Sequence, residues 1–373
     1  GHTSLHPQLG TLDDFKKLIN TAEELGIEIA MDFALQCAPD HPYVKANPQW
    51  LKQRPDGTIQ YAENPPKKYQ DIYPIYFESE DWKNLWKELL DIALYWVEQG
   101  IRVFRVDNPH TKPLAFWEWL ISEVKKKNQD VLFLSEAFTK PKLMQELARL
   151  GFTQSYTYYT WRNSKHELVA YMNELTQGII SETFRPNFWP NTPDILPWAL
   201  QNANEHTYLT RYFLAATLSS NVGVYGPVYE FMEHKSMPGK EEYADSEKYE
   251  VRHWDWKKKT AINELYSKVN KARKEILALQ RTNNIRFCNV ENEQLIAFCK
   301  FDGKKSRVVV ICSLDSQQPQ SGHVHLTPWM LGMPDGSNFR LTDALSGQVF
   351  DWYGEHHFVA LTPQHPYHLF VVE

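Results

Sequence analysis

The chain has 373 residues, of which 42% are hydrophobic, and its formal net charge is −6. This length and composition can bury one large domain and a smaller one, and a mildly acidic balance without any run rich in Lys or Arg argues against nucleic acid as a partner. The sequence has no signal-peptide pattern, no apolar run long enough to cross a membrane and no metal-type spacing of its four cysteines, so we predict a cytoplasmic protein without metal or cofactor.

Helical and strand-like patterns alternate along most of the chain. A helix is predicted over residues 11–25, with Thr11 and Asp14 as its capping pair, followed by a strand over 27–33. Further strands are predicted at 101–106, 131–135, 152–156, 183–188 and 222–225. Further helices are predicted near 82–98, 114–126, 141–150, 164–175, 206–219 and 257–281. The alternation predicts a parallel sheet and its repetition a closed (β/α)8 TIM-type barrel, while the alternative of a doubly wound open sheet is disfavoured because no G-x-G-x-x-G motif follows a strand.

The barrel pattern gives way to a second pattern near residue 283. Short apolar runs separated by turn sequences such as "DGKK" and "PDGS" then predict a C-terminal antiparallel β-sandwich over 283–373, which leaves 1–282 as the barrel domain. Because six barrel strands are counted instead of eight, we expect the first two strands to lie upstream of Gly1. An excursion over residues 34–80 is long for a barrel connection and is expected to overhang the active-site mouth.

Acidic residues follow several of the predicted strands. Asp32 ends "IEIAM", Asp107 ends "FRV", Glu136 ends "VLFLS", and Asp194 lies six residues after "FRPNF". Any one of them could cap a helix or pair with an arginine, but several at equivalent positions indicate the catalytic face of a barrel. A carboxylate cluster without a metal-type histidine pair suits glycosyl chemistry, and Arg105 shares a strand face with Asp107 and would keep it ionised.

Several longer motifs resemble a known family. "RVD" with a glutamate ending the next strand and a later aspartate is similar to the α-amylase superfamily of retaining α-glucan enzymes. Within it, "RVFRVDNPHTKP", "LSEAFTKPK", "PNFWPNTPDILP" and "NPPKKYQDIYPI" resemble the maltosyltransferases that use α-maltose 1-phosphate to extend α-1,4-glucans. The resemblance implies that Asp107 is the nucleophile, Glu136 the general acid/base and Asp194 the carboxylate that stabilises the transition state.

The same resemblance implies a set of substrate-binding residues and a partner. Gln36 is expected to bind the donor sugar, with Arg105 beside the nucleophile. Lys248 and Tyr249 are expected to hold the distal ring of the maltosyl unit. The residues expected around the phosphate are Asn64, Lys67, Tyr69 and Asn108. The donor α-maltose 1-phosphate and an α-1,4-glucan acceptor are the implied ligands, and the complete protein is expected to be a homodimer.

Two other functions stay open at this point. A hydrolase of α-1,4-glucans needs only water at the same intermediate, and a non-catalytic glucan-binding protein could be built from a barrel remnant and a β domain. Lys112 and His110 could equally serve packing at a helix entry. Trp189 and Tyr225 could stack on sugar rings or belong to the core.

Overall fold

The chain divides into two compact units, Gly1–Tyr156 and Thr157–Glu373. The structure is a computed structural model that describes residues 1–245, 247, 250–303 and 306–373, and for Asn64 the backbone alone. The predicted boundary between residues 282 and 283 falls inside the second unit and stays a prediction.

The first unit is built from helices around a parallel sheet. Its helices are α1 (Leu12–Glu24), α2 (Pro42–Ala46), α3 (Trp82–Glu98), α4 (Leu114–Lys127) and α5 (Pro141–Arg149). Its strands are β1 (Ala30–Phe33), β2 (Gln36–Cys37), β3 (Ala62–Asn64), β4 (Lys67–Tyr69), β5 (Tyr73–Pro74), β6 (Val103–Asp107), β7 (Leu132–Glu136) and β8 (Gln154–Tyr156). Strands β1, β6, β7 and β8 lie side by side in that order and are parallel. Each pair of neighbours is joined through at least one helix, as parallel pairing requires.

Local sequence signals explain where these helices begin and which side they bury. The Thr11 hydroxyl accepts a hydrogen bond from the Asp14 N–H, and the Asp14 carboxylate accepts one from the Thr11 N–H, so the predicted capping pair at α1 is confirmed. Helix α3 buries one stripe at helical spacing, formed by Leu85, Leu89, Ile92, Ala93, Trp96 and Val97. This stripe joins Phe104 and Val106 of β6 in one apolar core, which fixes the strand end that carries Asp107.

The second unit begins with the remaining barrel elements. These are α6 (Lys165–Thr176), α7 (Ile180–Thr183), β9 (Pro186–Phe188), α8 (Glu205–Leu218), β10 (Asn221–Val222) and α9 (Ala261–Glu275). Strands β9 and β10 are parallel neighbours. Helix α8 is buried along almost all of its length, so its last carbonyl groups have little access to water.

An antiparallel β domain completes the second unit. Its strands are β11 (Ile285–Phe287), β12 (Asn289–Val290), β13 (Leu295–Asp302), β14 (Ser306–Ser313), β15 (Gln320–His325), β16 (Phe339–Asp343), β17 (Val349–Trp352), β18 (His356–Leu361) and β19 (Tyr367–Val372). One sheet has the order β11-β13-β14-β19-β16-β17 and the other β12-β15-β18. Apolar side chains from both sheets form one buried cluster, as expected for the predicted sandwich.

The long helix predicted over 257–281 is shorter than expected. Helix α9 begins after Thr260, whose hydroxyl accepts a hydrogen bond from the Asn263 N–H at 3.0 Å. It ends at Glu275 because Ile276 is extended, with φ −101° and ψ 104°, and a short 3₁₀ turn follows at Leu277–Gln280.

The strand predicted at 222–225 is also wrong in its placement. Strand β10 covers Asn221–Val222 and ends where the indole of Trp189 covers the backbone of Gly223. A Cβ atom at Gly223 would lie 1.9 Å from Trp189 Cε2, so only glycine fits under this ring. Trp189, which was open between sugar stacking and packing, therefore packs on Gly223 with part of its surface exposed.

Candidate active site

The parallel sheet of the first unit brings acidic residues to one edge. Asp32 of β1 is in register with Arg105 of β6, and Asp107 of β6 is in register with Glu136 of β7. Because side chains alternate along a strand, Arg105 and Asp107 project from the same face. Neighbouring strands therefore place three carboxylates around one guanidinium.

Arg105 is the centre of this cluster. Its Nη1 donates to Asp32 Oδ1 at 2.8 Å and to Asp107 Oδ1 at 2.9 Å, and its Nη2 lies 3.7 Å from Glu136 Oε2. Burial acts to lower the pKa of Arg105, but attraction to Asp32 and Glu136 outweighs it and raises that pKa. The side chain of Asp32 is 63% exposed, compared with 22% for Asp107 and 11% for Glu136, so the latter two form the enclosed part of the site.

Asn108 connects the two enclosed carboxylates. It is one of the few described non-glycine residues with positive φ, at φ 43° and ψ 54°. Its N–H donates to Glu136 Oε2 at 3.2 Å, and its Nδ2 donates to Asp107 Oδ2 at 3.2 Å. Asn108 was predicted near the phosphate; the structure places it directly between Asp107 and Glu136.

Tyr156 forms part of the wall beside Arg105. The guanidinium carbon lies 5.9 Å from the Tyr156 ring centre, and Phe138 packs against the same ring at 6.0 Å. Burial raises the pKa of Tyr156, so its hydroxyl stays neutral at physiological pH. Sequence reasoning missed Tyr156 because a tyrosine ending a buried strand is ordinary in a core.

The excursion contains the other predicted donor-site residues of the first unit. Gln36 lies in β2, which pairs with β5 through Gln36 and Pro74. Strands β3 and β4 form a hairpin in which Asn64 is opposite Lys67 and Ala62 is opposite Tyr69. The hairpin thus brings together Asn64, Lys67 and Tyr69, which were predicted to surround the phosphate. For Asn64 the structure describes the backbone alone. Their roles stay predictions.

Asp194 lies on a loop of the second unit after β9. It is exposed, and its N–H donates to Thr192 Oγ1 at 3.2 Å. Glu241 holds this loop, because its carboxylate accepts from the Trp198 N–H at 2.9 Å and from the Trp161 indole at 3.1 Å. Glu241 had no predicted role, and its position 43 residues beyond Trp198 leaves no local signal.

The segment that leads towards Lys248 and Tyr249 is hydrogen-bonded to the same loop. Tyr243 accepts from Asn191 Nδ2 at 2.6 Å, and Ser236 and Tyr243 form a short antiparallel bridge. Lys248 and Tyr249 themselves, predicted to hold the distal sugar ring, lie outside the described residues.

Comparison with known proteins adds a family relationship. Residues 287–372 match the family described as "GLGE, C-terminal". The chain is 52% identical over 373 residues to the alpha-1,4-glucan:maltose-1-phosphate maltosyltransferase of Methylacidiphilum infernorum, covering 99% of this chain and 56% of that protein. It is 48% identical over 380 residues to the enzyme of the same name from Chlorobaculum tepidum, covering 100% of this chain and 57% of that protein.

The chain is homologous to these maltosyltransferases along almost its whole length. The resemblance carried by its motifs is thereby confirmed. It spans a little over half the length of the curated relatives that it matches. The activity of those longer proteins is therefore transferred to this chain only as a proposal.

Solved structures identify the fold. An alpha-amylase from Geobacillus thermoleovorans complexed with acarbose aligns with a TM-score of 0.79 at 16% identity, covering 100% of this chain and 83% of that one. The noncanonic maltogenic alpha-amylase AmyB from Thermotoga neapolitana aligns with a TM-score of 0.77 at 16% identity, covering 100% and 84%. At this identity the likeness concerns the fold alone, and it confirms the predicted TIM-type barrel with a C-terminal β domain.

One cation of the site was left undecided by the sequence. The sequence did not decide whether Lys112 serves packing at a helix entry or function. Its Nζ donates to the carbonyl oxygens of Asp107 at 3.0 Å and Asn108 at 3.2 Å. Burial lowers its pKa to about 8, with Asp107 and Glu136 opposing that shift. His110 lies in the same turn, and burial lowers its pKa.

In the described part of the chain, no group of three or more His, Cys, Asp or Glu residues could hold a metal ion.

Proposed function

We propose that the complete protein is a retaining α-maltosyltransferase. It transfers maltosyl units from α-maltose 1-phosphate to the non-reducing end of α-1,4-glucans and releases phosphate. The observation that carries this proposal is the pair Asp107 and Glu136, which end neighbouring parallel strands around Arg105. The name of the homologous enzymes specifies the donor and acceptor.

In the first step Asp107 attacks the anomeric carbon of the donor. A bond forms between the carboxylate oxygen and C1, the bond from C1 to the phosphate oxygen breaks, and phosphate leaves with the electron pair. Glu136 assists by protonating the leaving oxygen. The hydrogen bonds from Arg105 and Asn108 fix the orientation of Asp107 for in-line attack.

In the second step the maltosyl group passes to the acceptor. Glu136 removes the proton of the 4-hydroxyl, the acceptor oxygen attacks C1, and the bond to Asp107 breaks. Two successive inversions restore the α configuration. Asp194 is proposed to stabilise positive charge that develops on the sugar ring in both steps.

Donor specificity is proposed to come from the excursion and from the second unit. Gln36 would bind the donor sugar, and Lys248 and Tyr249 its distal ring. Phosphate brings roughly two negative charges, which need cationic and amide donors. The donors proposed for it are Asn64, Lys67, Tyr69 and Asn108. Support for this set comes from the shared hairpin of the first three residues and from the motifs that resemble the family.

Glycogen-type α-glucan synthesis in the cytoplasm is the proposed setting, with the complete protein as a homodimer. The four cysteines are buried and unpaired, which fits a reducing compartment. None of the helices in the described ranges has the length and apolar character needed to cross a membrane. The homodimer is proposed from the family resemblance alone.

The test incubates the complete protein with α-maltose 1-phosphate and a maltohexaose acceptor. We expect phosphate release to equal acceptor growth in steps of two glucose units, measured by a phosphate assay and mass spectrometry. Release of free maltose without acceptor growth would instead identify a hydrolase. Acceptor binding without any turnover of either ligand would identify a glucan-binding protein.

A further inference from the structure

Lys112 contacts the backbone on which both enclosed carboxylates depend. Its Nζ donates to two consecutive carbonyl groups, those of Asp107 at 3.0 Å and Asn108 at 3.2 Å. Asp107 is the last residue of β6, and Asn108 is the first residue of the turn that follows. The ammonium group therefore bridges the point where the strand changes into the turn.

This turn has a conformation that needs support. The left-handed region is unfavourable for an ordinary L-residue, although asparagine tolerates it better than most. Asn108 adopts φ 43° and ψ 54° there. Its carbonyl accepts from the Thr111 hydroxyl at 2.8 Å as well as from Lys112. Two side chains thus hold the Asn108 carbonyl in place.

The conformation of Asn108 determines the contacts of both carboxylates. In the left-handed turn its N–H points to Glu136 Oε2 and its side-chain amide to Asp107 Oδ2, each at 3.2 Å. Rotation of this one residue would break both hydrogen bonds together. Whatever fixes the turn therefore also fixes the relative orientation of Asp107 and Glu136.

We propose that Lys112 is a positioning residue for the reaction: by binding the carbonyls of Asp107 and Asn108, it holds the left-handed turn from which Asn108 orients both carboxylates. The proposal rests on the proposed roles of Asp107 and Glu136. Lys112 itself acts through the backbone and through Asn108. At neutral pH its ammonium also stays mostly charged, since burial lowers the pKa of Lys112 only to about 8.

Lys125 is a matched control residue, because it also donates to two backbone carbonyl groups, at a different place in the fold. Lys125 Nζ donates to the carbonyls of Gln129 at 3.3 Å and Val131 at 2.8 Å, in the connection between α4 and β7. It precedes the strand that Glu136 ends, whereas Lys112 follows the strand that Asp107 ends. Replacing Lys125 removes a lysine bound to two carbonyls without touching the turn at Asn108.

The experiment measures attack by Asp107 in the complete protein. In a Glu136→Ala background, α-maltosyl fluoride serves as the probe, because fluoride leaves without protonation and the second step lacks its base. Asp107 forms a bond to C1 as the C–F bond breaks, and mass spectrometry follows the adduct. We expect Lys112→Met to lower the maximal rate of adduct formation about 10- to 100-fold, with a smaller change in the half-saturating probe concentration.

Lys125→Met, in the same background, should leave the rate of adduct formation unchanged even if it lowers the unfolding midpoint as much as Lys112→Met does. Lys112→Arg should recover part of the rate. Should Lys112→Met fail to fold, Lys112→Gln, which keeps one donor group, should still slow adduct formation. An adduct that forms on Asp107 at the background rate in the Lys112 variants would overturn the positioning role.

Failure of the proposed function gives a different result. The probe requires only a nucleophile at C1, so a hydrolase would also form the adduct while failing the acceptor-growth test, and the role of Lys112 would still be measured. Absence of any adduct on Asp107 in the Glu136→Ala background would reject Asp107 as the nucleophile, and the positioning role would be rejected with it.

Discussion

Two cations of this chain, the partly buried Arg105 and the fully buried Lys300, have opposite surroundings. Arg105 lies among carboxylates, with hydrogen bonds to Asp32 and Asp107, and its pKa is raised despite burial. Lys300 of β13 donates to the carbonyls of Thr217 at 3.2 Å and Leu218 at 3.1 Å, and its pKa is lowered to about 7 by burial, with a further contribution from nearby Arg273. Burial acts to lower the pKa of both groups, so the neighbours decide the direction of the net shift.

The difference separates the proposed catalytic site from a packing contact at the end of a buried helix. Helix α8 ends in a buried environment, where carbonyl groups without partners would be costly. Lys300 and Arg273 provide donors there, Arg273 to the carbonyls of Ser219 and Ser220 at 3.0 Å and 2.7 Å. Around Arg105 the carboxylates remain partly exposed and can meet a ligand. Substitutions at the two places should therefore affect different properties.

The largest expected effect is on activity at the Arg105 cluster. Glu136→Ala in the complete protein should reduce maltosyl transfer by about 10² to 10⁴, because the acceptor hydroxyl loses its general base. The unfolding midpoint should change little. Azide needs no deprotonation and should restore turnover, giving an α-configured maltosyl azide by attack on the adduct at Asp107.

A matched control is Glu146→Ala, since Glu146 is an exposed carboxylate of α5 that lies 3.5 Å from Arg149. It should retain full activity. If azide yields a β-configured product, or if the adduct maps to another carboxylate, the assignment of Asp107 as nucleophile is wrong.

The second-largest effect is expected from Arg105→Lys, which tests whether activity requires the planar guanidinium of Arg105 and not only its positive charge. Arg105→Lys keeps a cation, but one ammonium group cannot reach Asp32, Asp107 and Glu136 as the planar guanidinium does. We expect kcat to fall by about 10²-fold, measured by phosphate release.

Arg102→Lys provides the comparison for that substitution. Arg102 lies on the same chain segment and donates to the carbonyls of Val97 at 2.7 Å and Ile101 at 3.0 Å. Its replacement should alter stability at most. Equal kcat values for the wild type and Arg105→Lys would show that charge alone is sufficient at position 105.

The smallest expected effect is a pH dependence of stability at Lys300. The folded-state pKa of about 7 lies below the ordinary value of 10.5, so the unfolded chain binds more protons between these values and wild-type stability rises with pH there. Lys300→Met lacks this group. The free energy of unfolding of the wild type, relative to Lys300→Met, should therefore increase by roughly 2 kcal/mol from pH 7 to pH 9 in urea titrations. A difference that stays constant over this range would contradict the assignment.

Much of the barrel could be predicted because its signals are local. The spacing of Thr11 and Asp14 alone predicts the start of a helix, and the apolar residues of helix α3 recur at helical intervals. Asp107 and Glu136 were predicted to meet because parallel strands align their carboxyl ends. These inferences need only the period of a helix or strand and the direction of the chain.

The rest depends on contacts that a linear pattern does not contain. The hydrogen bond from Lys112 to the Asp107 carbonyl accompanies a left-handed conformation at Asn108, and an asparagine at that position does not by itself predict one. Glu241 acts on the Asp194 loop from a distant segment. Lys300 lies in an antiparallel strand, where a lysine is usually expected to face solvent, yet it is fully buried.

The contact between Trp189 and Gly223 restricts how the sequence can change. The indole occupies the space that any side chain at position 223 would need, so Ala at 223 can be accommodated only if the ring moves or is replaced by a smaller side chain. In a library of random substitutions selected for folded protein, substitutions at the two positions should be correlated. A larger residue at 223 should be found only together with a smaller residue at 189. The close contact between one side chain and one backbone segment thus couples substitutions at two positions that directly follow neighbouring barrel strands.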